Sequence, residues 1–270
     1  VATLRRVIGS TRGILHPRLA GAKFQLSRHL PAPALAAFVA HYWMVRWDLR
    51  GGEPHQQRLL THPVVQVVFG DGPPRVVGVV RGGFSRRLTD RGLAVGVRFR
   101  PGGFRPFLRA PVSTITDRTL DLAEVFPVDG AILQAAVLSA GADAAVARVL
   151  DEFLLLSPPE PDPVVDLVAE VVDLAARDQG IVRVDALAGR FDVSVRRLQR
   201  LFAEYVGVSP KWVIRRCRLH EAAERAARGD DVDWSGLAAE LGYADQAHLV
   251  RDFTEAVGVP PGRYARDASA

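Results

Sequence analysis

Cysteine is all but missing from this chain of 270 residues: Cys217 stands alone. An internal disulfide is therefore excluded, as is any zinc site built from several thiolates, and a reducing compartment is the natural expectation. Long apolar runs are missing too, since nothing approaches the roughly eighteen uninterrupted residues of a membrane span. The first twenty residues hold Arg5, Arg6, Arg12 and Arg18 but no apolar stretch of leader length, so a cytoplasmic protein is expected. The seven histidines never fall into paired metal-box spacing, and His41, His55 and His62 lack suitable flanking carboxylates. No metal, no cofactor and no membrane partner are expected.

The chain does have ordinary globular composition, with 48% hydrophobic and 24% charged residues and a net charge of +5. Its charge is unevenly placed. Residues 1–160 carry 20 Lys and Arg against 12 Asp and Glu, whereas residues 161–270 carry 15 against 18. Within that second half, residues 190–218 concentrate eight cations, Arg190, Arg196, Arg197, Arg200, Lys211, Arg215, Arg216 and Arg218, against Asp192 and Glu204. A local basic patch of this kind suits a nucleic-acid partner.

Four prolines in SPPEPDP (157–163) cannot continue a helix and favour an extended spacer. They divide the chain into an N-terminal domain, 1–157, a linker, 158–163, and a C-terminal domain, 164–270. The first reads as β-rich, with strands at 64–69, 75–80 and 93–99, a short amphipathic helix at 31–42, and two helices over 129–156 broken at Gly141. The second reads as all-helical, with helices at 164–178, 183–190, 194–206, 210–228, 234–241 and 246–257. The fold class is thus α+β.

An internal repeat dominates the helical half. LQRLFAEYVGVSP (198–210) recurs as LVRDFTEAVGVPP (249–261), identical at 8 of 13 positions. Each copy follows a shorter helix, VDALAGRF (184–191) or VDWSGLAAEL (232–241), across a tight turn. Two helix-turn-helix units are too few for a solenoid. On a helix from Ser194, a natural N-cap, Val195, Leu198, Leu201 and Phe202 form an inward stripe, and Arg196, Gln199, Arg200 and Ala203 face out. Arginine can bond guanine bidentately in the major groove and glutamine can bond adenine. Lys211, Arg215, Arg216 and Arg218 suit phosphate contacts. The helix at 210–228 makes a rod of about 27 Å, which would set the two outward faces about one duplex turn, ~34 Å, apart. Gly207 and Gly258 are expected to end their helices in the left-handed region.

The repeat resembles the AraC/XylS transcription regulators, most clearly in AAELGYADQAHLVRDF (238–253) running into GVPPGRY (258–264). The resemblance covers about 164–266 and implies base reading by Arg196, Gln199 and Arg200 in the first module, with Gln246, Ala247, Val250 and Arg251 on the equivalent face of the second. Arg197 and His248 complete the candidate DNA contacts. Upstream, YW (42–43), WD (47–48) and VGVRFRPGG (95–103) look like the degenerate cupin-type domain of actinobacterial members. Double-stranded DNA is the expected partner, with RNA polymerase, a small-molecule effector and a second copy of the chain as further candidates. Residues 229–267 depart from a uniform basic pattern, carrying Arg251, Arg263 and Arg266 against eight acids. The first module is therefore expected to supply most of the affinity.

Several features have a plainer reading. Cys217 reads as a small helix filler rather than a redox sensor. FRPGGF (99–104) reads as a packing turn rather than an anion cradle. Trp43 and Trp47 fit either an effector pocket or a core. A cupin-like catalyst or an alkyltransferase carrying a helix-turn-helix would need a metal box or a reactive cysteine in its own domain, and neither is present; a non-specific architectural DNA protein would not need the Arg and Gln base readers. No enzyme is expected.

Overall fold

The structure, a computed structural model, describes residues 13–228 and 232–269. Most of the N-terminal stretch read for a leader, including Arg5, Arg6 and Arg12, lies outside the described residues. Of the described helices, none is long and apolar enough to cross a membrane.

The N-terminal half is built on a six-stranded antiparallel sheet. Its strands are β1 (Gln25–His29), β2 (Val39–Asp48), β4 (Gln66–Phe69), β5 (Arg75–Val77), β7 (Arg91–Phe99) and β8 (Thr119–Asp121), ordered β1-β2-β7-β4-β5-β8. A separate pair joins β3 (His55–Leu59) to β6 (Phe84–Leu88). The long central pair is β2 and β7, in which Trp43 lies opposite Gly96 and Trp47 opposite Gly92. Each indole covers its glycine so closely that a Cβ there would meet the ring at 2.3 Å and 2.1 Å respectively. Trp43 donates to Gln66 Oε1 (2.9 Å) and Trp47 to the Thr89 carbonyl (2.9 Å), so both tryptophans are packing residues.

The helix expected at 31–42 is not there. Only Pro33–Leu35 makes a 3-10 turn, and β2 starts at Val39. Leu35, Phe38, Val39 and Tyr42 are all buried, at positions that mimic helical spacing. The mimicry arises because the 3-10 turn and a register shift between Val39 and His41 break the period-two pattern of a strand. The two closing helices do form, as α3 (Gly130–Ser139) and α4 (Asp143–Leu155), with Gly141 at φ 72 between them. Tyr42 donates to Asp151 of α4 (2.6 Å), which pins that helix to the sheet.

The C-terminal half is all-helical: α5 (Pro163–Arg177), α6 (Val184–Gly189), α7 (Val195–Leu201), α8 (Pro210–Ala227), α9 (Trp234–Glu240), α10 (Gln246–Val257) and α11 (Pro261–Ser269). Among the described residues three helices have no counterpart in the sequence reading, α1 (Pro17–Lys23), the single turn α2 (Arg105–Leu108) and α11; α1 and α11 open on a proline, which suits the first helical position. Residues 158–162 have no regular secondary structure, yet the apolar core runs past them. One cluster extends from Tyr42, Phe69 and Phe99 through Val168 and Val172 of α5 to Leu198, Phe202 and Ile214. A second surrounds Leu237, Leu249, Phe253 and Tyr264, and it takes in Leu15 and Leu60 from the N-terminal half. Each helix-turn-helix module is therefore packed against the β-rich half.

Candidate nucleic-acid interface

The first outward face is built by α7. Ser194 accepts from the Arg197 amide (3.2 Å) and fixes the start of the helix. Leu198 and Phe202 are fully buried and orient the helix. The last turn widens into a π-turn over Phe202–Val206 and stops at Gly207, φ 89. Val195 belongs to the expected inward stripe but is 36% exposed, because it lies in the first turn beyond the reach of the core. Arg196, Arg197, Gln199 and Arg200 are all exposed. None of the three guanidinium groups has a hydrogen-bond or ion-pair partner among the described residues. Of the local acids, Glu204 is engaged by Arg105 (2.6 Å), which leaves the face strongly positive.

α8 joins the two modules, and here two phosphate-contact assignments are corrected. Arg218 is 2% exposed and donates to the carbonyls of Asp178 (2.7 Å), Ile181 (2.9 Å) and Ala175 (3.3 Å), where α5 ends. A guanidinium there adds a charged donor to carbonyls at the helix end, of which that of Asp178 also accepts the Ile181 amide (3.2 Å). Arg216, 3% exposed, lies 4.6 Å over the Trp212 ring and donates to the Arg81 carbonyl. Neither can reach a phosphate. Sequence alone gave no sign of this, because arginines at 215, 216 and 218 point to three sides of one helix and only packing tells which side is covered. Arg215 is half-exposed and donates to Asp252 of α10 through Nε (3.0 Å) and Nη2 (2.5 Å), an interaction that raises the arginine's pKa. Lys211 is exposed.

The second face is built by α10. Asp245 caps it by accepting from the His248 amide (2.7 Å), Leu249 and Phe253 are buried, and Gly258 ends it at φ 86. Gln246, Ala247 and Arg251 are exposed, and His248 and Val250 are half-buried. The acids of this module are largely engaged in structure. Asp233 caps α9, Glu240 pairs with Arg225 (2.5 Å), and Asp252 is buried on Arg215.

Comparison with known proteins agrees with this construction. Residues 187–267 match the family described as a helix-turn-helix domain, and residues 27–121 match one described as a domain of unknown function (DUF6597). Residues 187–267 are thus similar to a helix-turn-helix domain, in agreement with the resemblance of the repeat to the AraC/XylS regulators. The HTH-type transcriptional activator RhaS from Escherichia fergusonii is 33% identical over 87 residues, which are 32% of this chain and 31% of that protein. The chain accordingly spans about a third of the length of that relative. Among solved structures, the C-terminal domain of AraT, a response regulator from Geobacillus stearothermophilus, is 23% identical, covering 39% of this chain and 86% of that one with a TM-score of 0.34. ToxT from Vibrio cholerae is 14% identical, covering 81% and 98%, with a TM-score of 0.42.

Proposed function

We propose that this chain is a one-component, sequence-specific transcription regulator in which α7 and α10 read adjacent major-groove segments of double-stranded DNA. The observation that carries the reading is the α7 face, where Arg196, Arg197, Gln199 and Arg200 stand exposed, with no protein partner for the three guanidinium groups among the described residues. A capped, buried-backed helix holding such donors is pre-organised for base edges, each good bidentate contact contributing about 1–3 kcal/mol of discrimination. Lys211 supplies phosphate contact, and Gln246, Ala247, His248, Val250 and Arg251 form the second reading face. Residues 1–157 sense a small molecule, dimerise, or both on a cupin-like frame, ahead of the linker at 158–163 and the DNA-binding domain at 164–270. The protein acts in the cytoplasm and performs no catalysis, and its second module positions weakly on the duplex or contacts RNA polymerase.

Selection of bound genomic fragments by the purified full chain, followed by footprinting, tests the reading. Two protected windows about one helical turn apart are expected. Uniform coating of the duplex would assign the chain to architectural binding instead.

A further inference from the structure

We propose that Asp252, a buried carboxylate of the second reading helix, is a positioning residue for DNA: it aims the Arg215 guanidinium of α8 so that its free edge meets a backbone phosphate between the two reading faces. The inference rests on the reading of α7 and α10 as DNA-contacting helices, and it adds an anchoring contact on the helix that joins them.

The internal repeat supplies the comparison. Asp252 stands in one copy where Leu201 stands in the other, directly before Phe253 and Phe202 respectively. Leu201 is half-buried and packs on the apolar core of the first module. Asp252 is turned inward more completely, with 8% of its side chain exposed, although a carboxylate is unfavourable to bury. Its charge is met from α8. Arg215 donates through Nε (3.0 Å) and Nη2 (2.5 Å), one bond to each carboxylate oxygen. That paired geometry fixes the plane of a guanidinium as well as its place. His248, one turn back on α10, brings Nε2 to 3.9 Å from the same carboxylate, and the charge of Asp252 joins burial in pushing up the pKa of the Tyr243 hydroxyl.

Holding two helices together does not call for such a pair. A buried ion pair is often no more stabilising than apolar residues of similar volume, and the first module has a leucine at this position. What the pair provides and a leucine cannot is a directed cation. Arg215 keeps 47% of its side chain exposed. With Nε and Nη2 committed to Asp252, Nη1 has no hydrogen-bond partner among the described residues and is left for an acceptor outside the chain. Arg215 also follows the exposed Lys211 by four residues, so the two cations share one stripe of α8. Two acids act on Arg215, Asp252 and Glu255, and Glu255 acts on the neighbouring Arg216 as well. Their repulsion of a phosphate opposes the benefit of aim. Glu255 is exposed and therefore screened by salt, and the charge of Asp252 is offset by the arginine itself. Against that residue of repulsion, the two bonds remove the rotamer freedom that a loose arginine would lose on binding.

Binding of the full chain to its selected duplex and to a scrambled one is measured over a range of salt concentrations, in wild type, Arg215→Gln, Asp252→Leu and the double variant, and thermal unfolding is followed for each. A phosphate contact carries no sequence information. Arg215→Gln should therefore weaken both duplexes by the same factor, about fivefold near physiological salt, and reduce the slope of log affinity against log salt by about one. Asp252→Leu, which leaves the arginine in place and copies the first module, should produce the same two changes with an unfolding midpoint no lower than that of wild type. The double variant should fall no further than either single one. Asp252→Ala takes the place of the leucine variant if that chain loses its native circular dichroism. Wild-type or tighter binding by Asp252→Leu, weakening with an unchanged salt slope, or losses that add in the double variant would overturn the proposal. Failure of the wild type to bind either duplex would overturn the reading beneath it and the proposal with it, so the wild type alone tells the two failures apart.

Discussion

Arg218 and Arg200 share a charge and a side chain, but one is sealed against three carbonyls at the end of α5 while the other extends from α7 into solvent. Replacing Arg218 by Met would remove a charged donor from all three carbonyls, with the Asp178 carbonyl keeping the Ile181 amide, at a cost of about 3 kcal/mol. Urea unfolding of Arg218→Met should show that loss, and a change under about 0.5 kcal/mol would mean water reaches the site. His41 gives a pH signature. Its folded pKa of about 3 lies far below the usual 6.5 because of burial first, then Arg98 and Arg28. Between those values the unfolded chain binds a proton that the folded chain refuses. Stability is therefore full above about pH 6.5 and falls as the pH drops towards 3, by about 1.4 kcal/mol per unit from this group. His41→Gln should flatten that limb of the stability profile; an unaltered slope would place the acid sensitivity elsewhere.

At the scale of elements, the α7 stop is a tight joint. Gly207 has φ 89, and a Cβ there would meet Thr116 Oγ1 at 2.9 Å and Val112 Cγ1 at 3.0 Å, while Thr116 donates to the Gly207 carbonyl (2.6 Å). Gly207→Ala combines a left-handed backbone with that close approach and should cost about 2 kcal/mol or more. Ser194→Ala, which removes only a cap, should cost about 1 kcal/mol. Equal midpoints for the two variants in thermal unfolding would contradict the ranking. The helical half was legible in sequence because its signals are local: Ser194, Gly207 and Gly258 mark helix ends, and Leu198, Phe202, Leu249 and Phe253 mark their buried sides. The sheet was less so. β1, β3, β6 and β8 are short or polar, and residues 35–42 imitate a helix where a 3-10 turn runs into a bulged strand. The outward positions of α7 could be read from spacing, whereas the inward turn of Arg216 and Arg218 depends on helices and strands distant in sequence.

Over the whole molecule, the β-rich half holds both modules. It touches the first through Thr116 and Arg105, the joining helix through the Arg81 carbonyl, and the second through the His16 amide on the Tyr264 hydroxyl (3.3 Å). The β-rich half and both modules are therefore joined by packed contacts rather than by a loose tether. The structure also moves the origin of the asymmetry between modules. Acids of the second module are taken up in caps and in the Arg215–Asp252 pair, so the difference that remains is one of cations: Arg196, Arg197 and Arg200 on α7 against Arg251 on α10. The most direct test is the affinity of the full chain for its selected duplex, and for a scrambled one, in wild type, Arg200→Ala and Arg251→Ala. Loss of about 1–3 kcal/mol on the selected duplex with Arg200→Ala, a smaller loss with Arg251→Ala and little change on the scrambled duplex are expected. Binding that ignores Arg200→Ala, or weakens equally on both duplexes, would contradict base reading by α7.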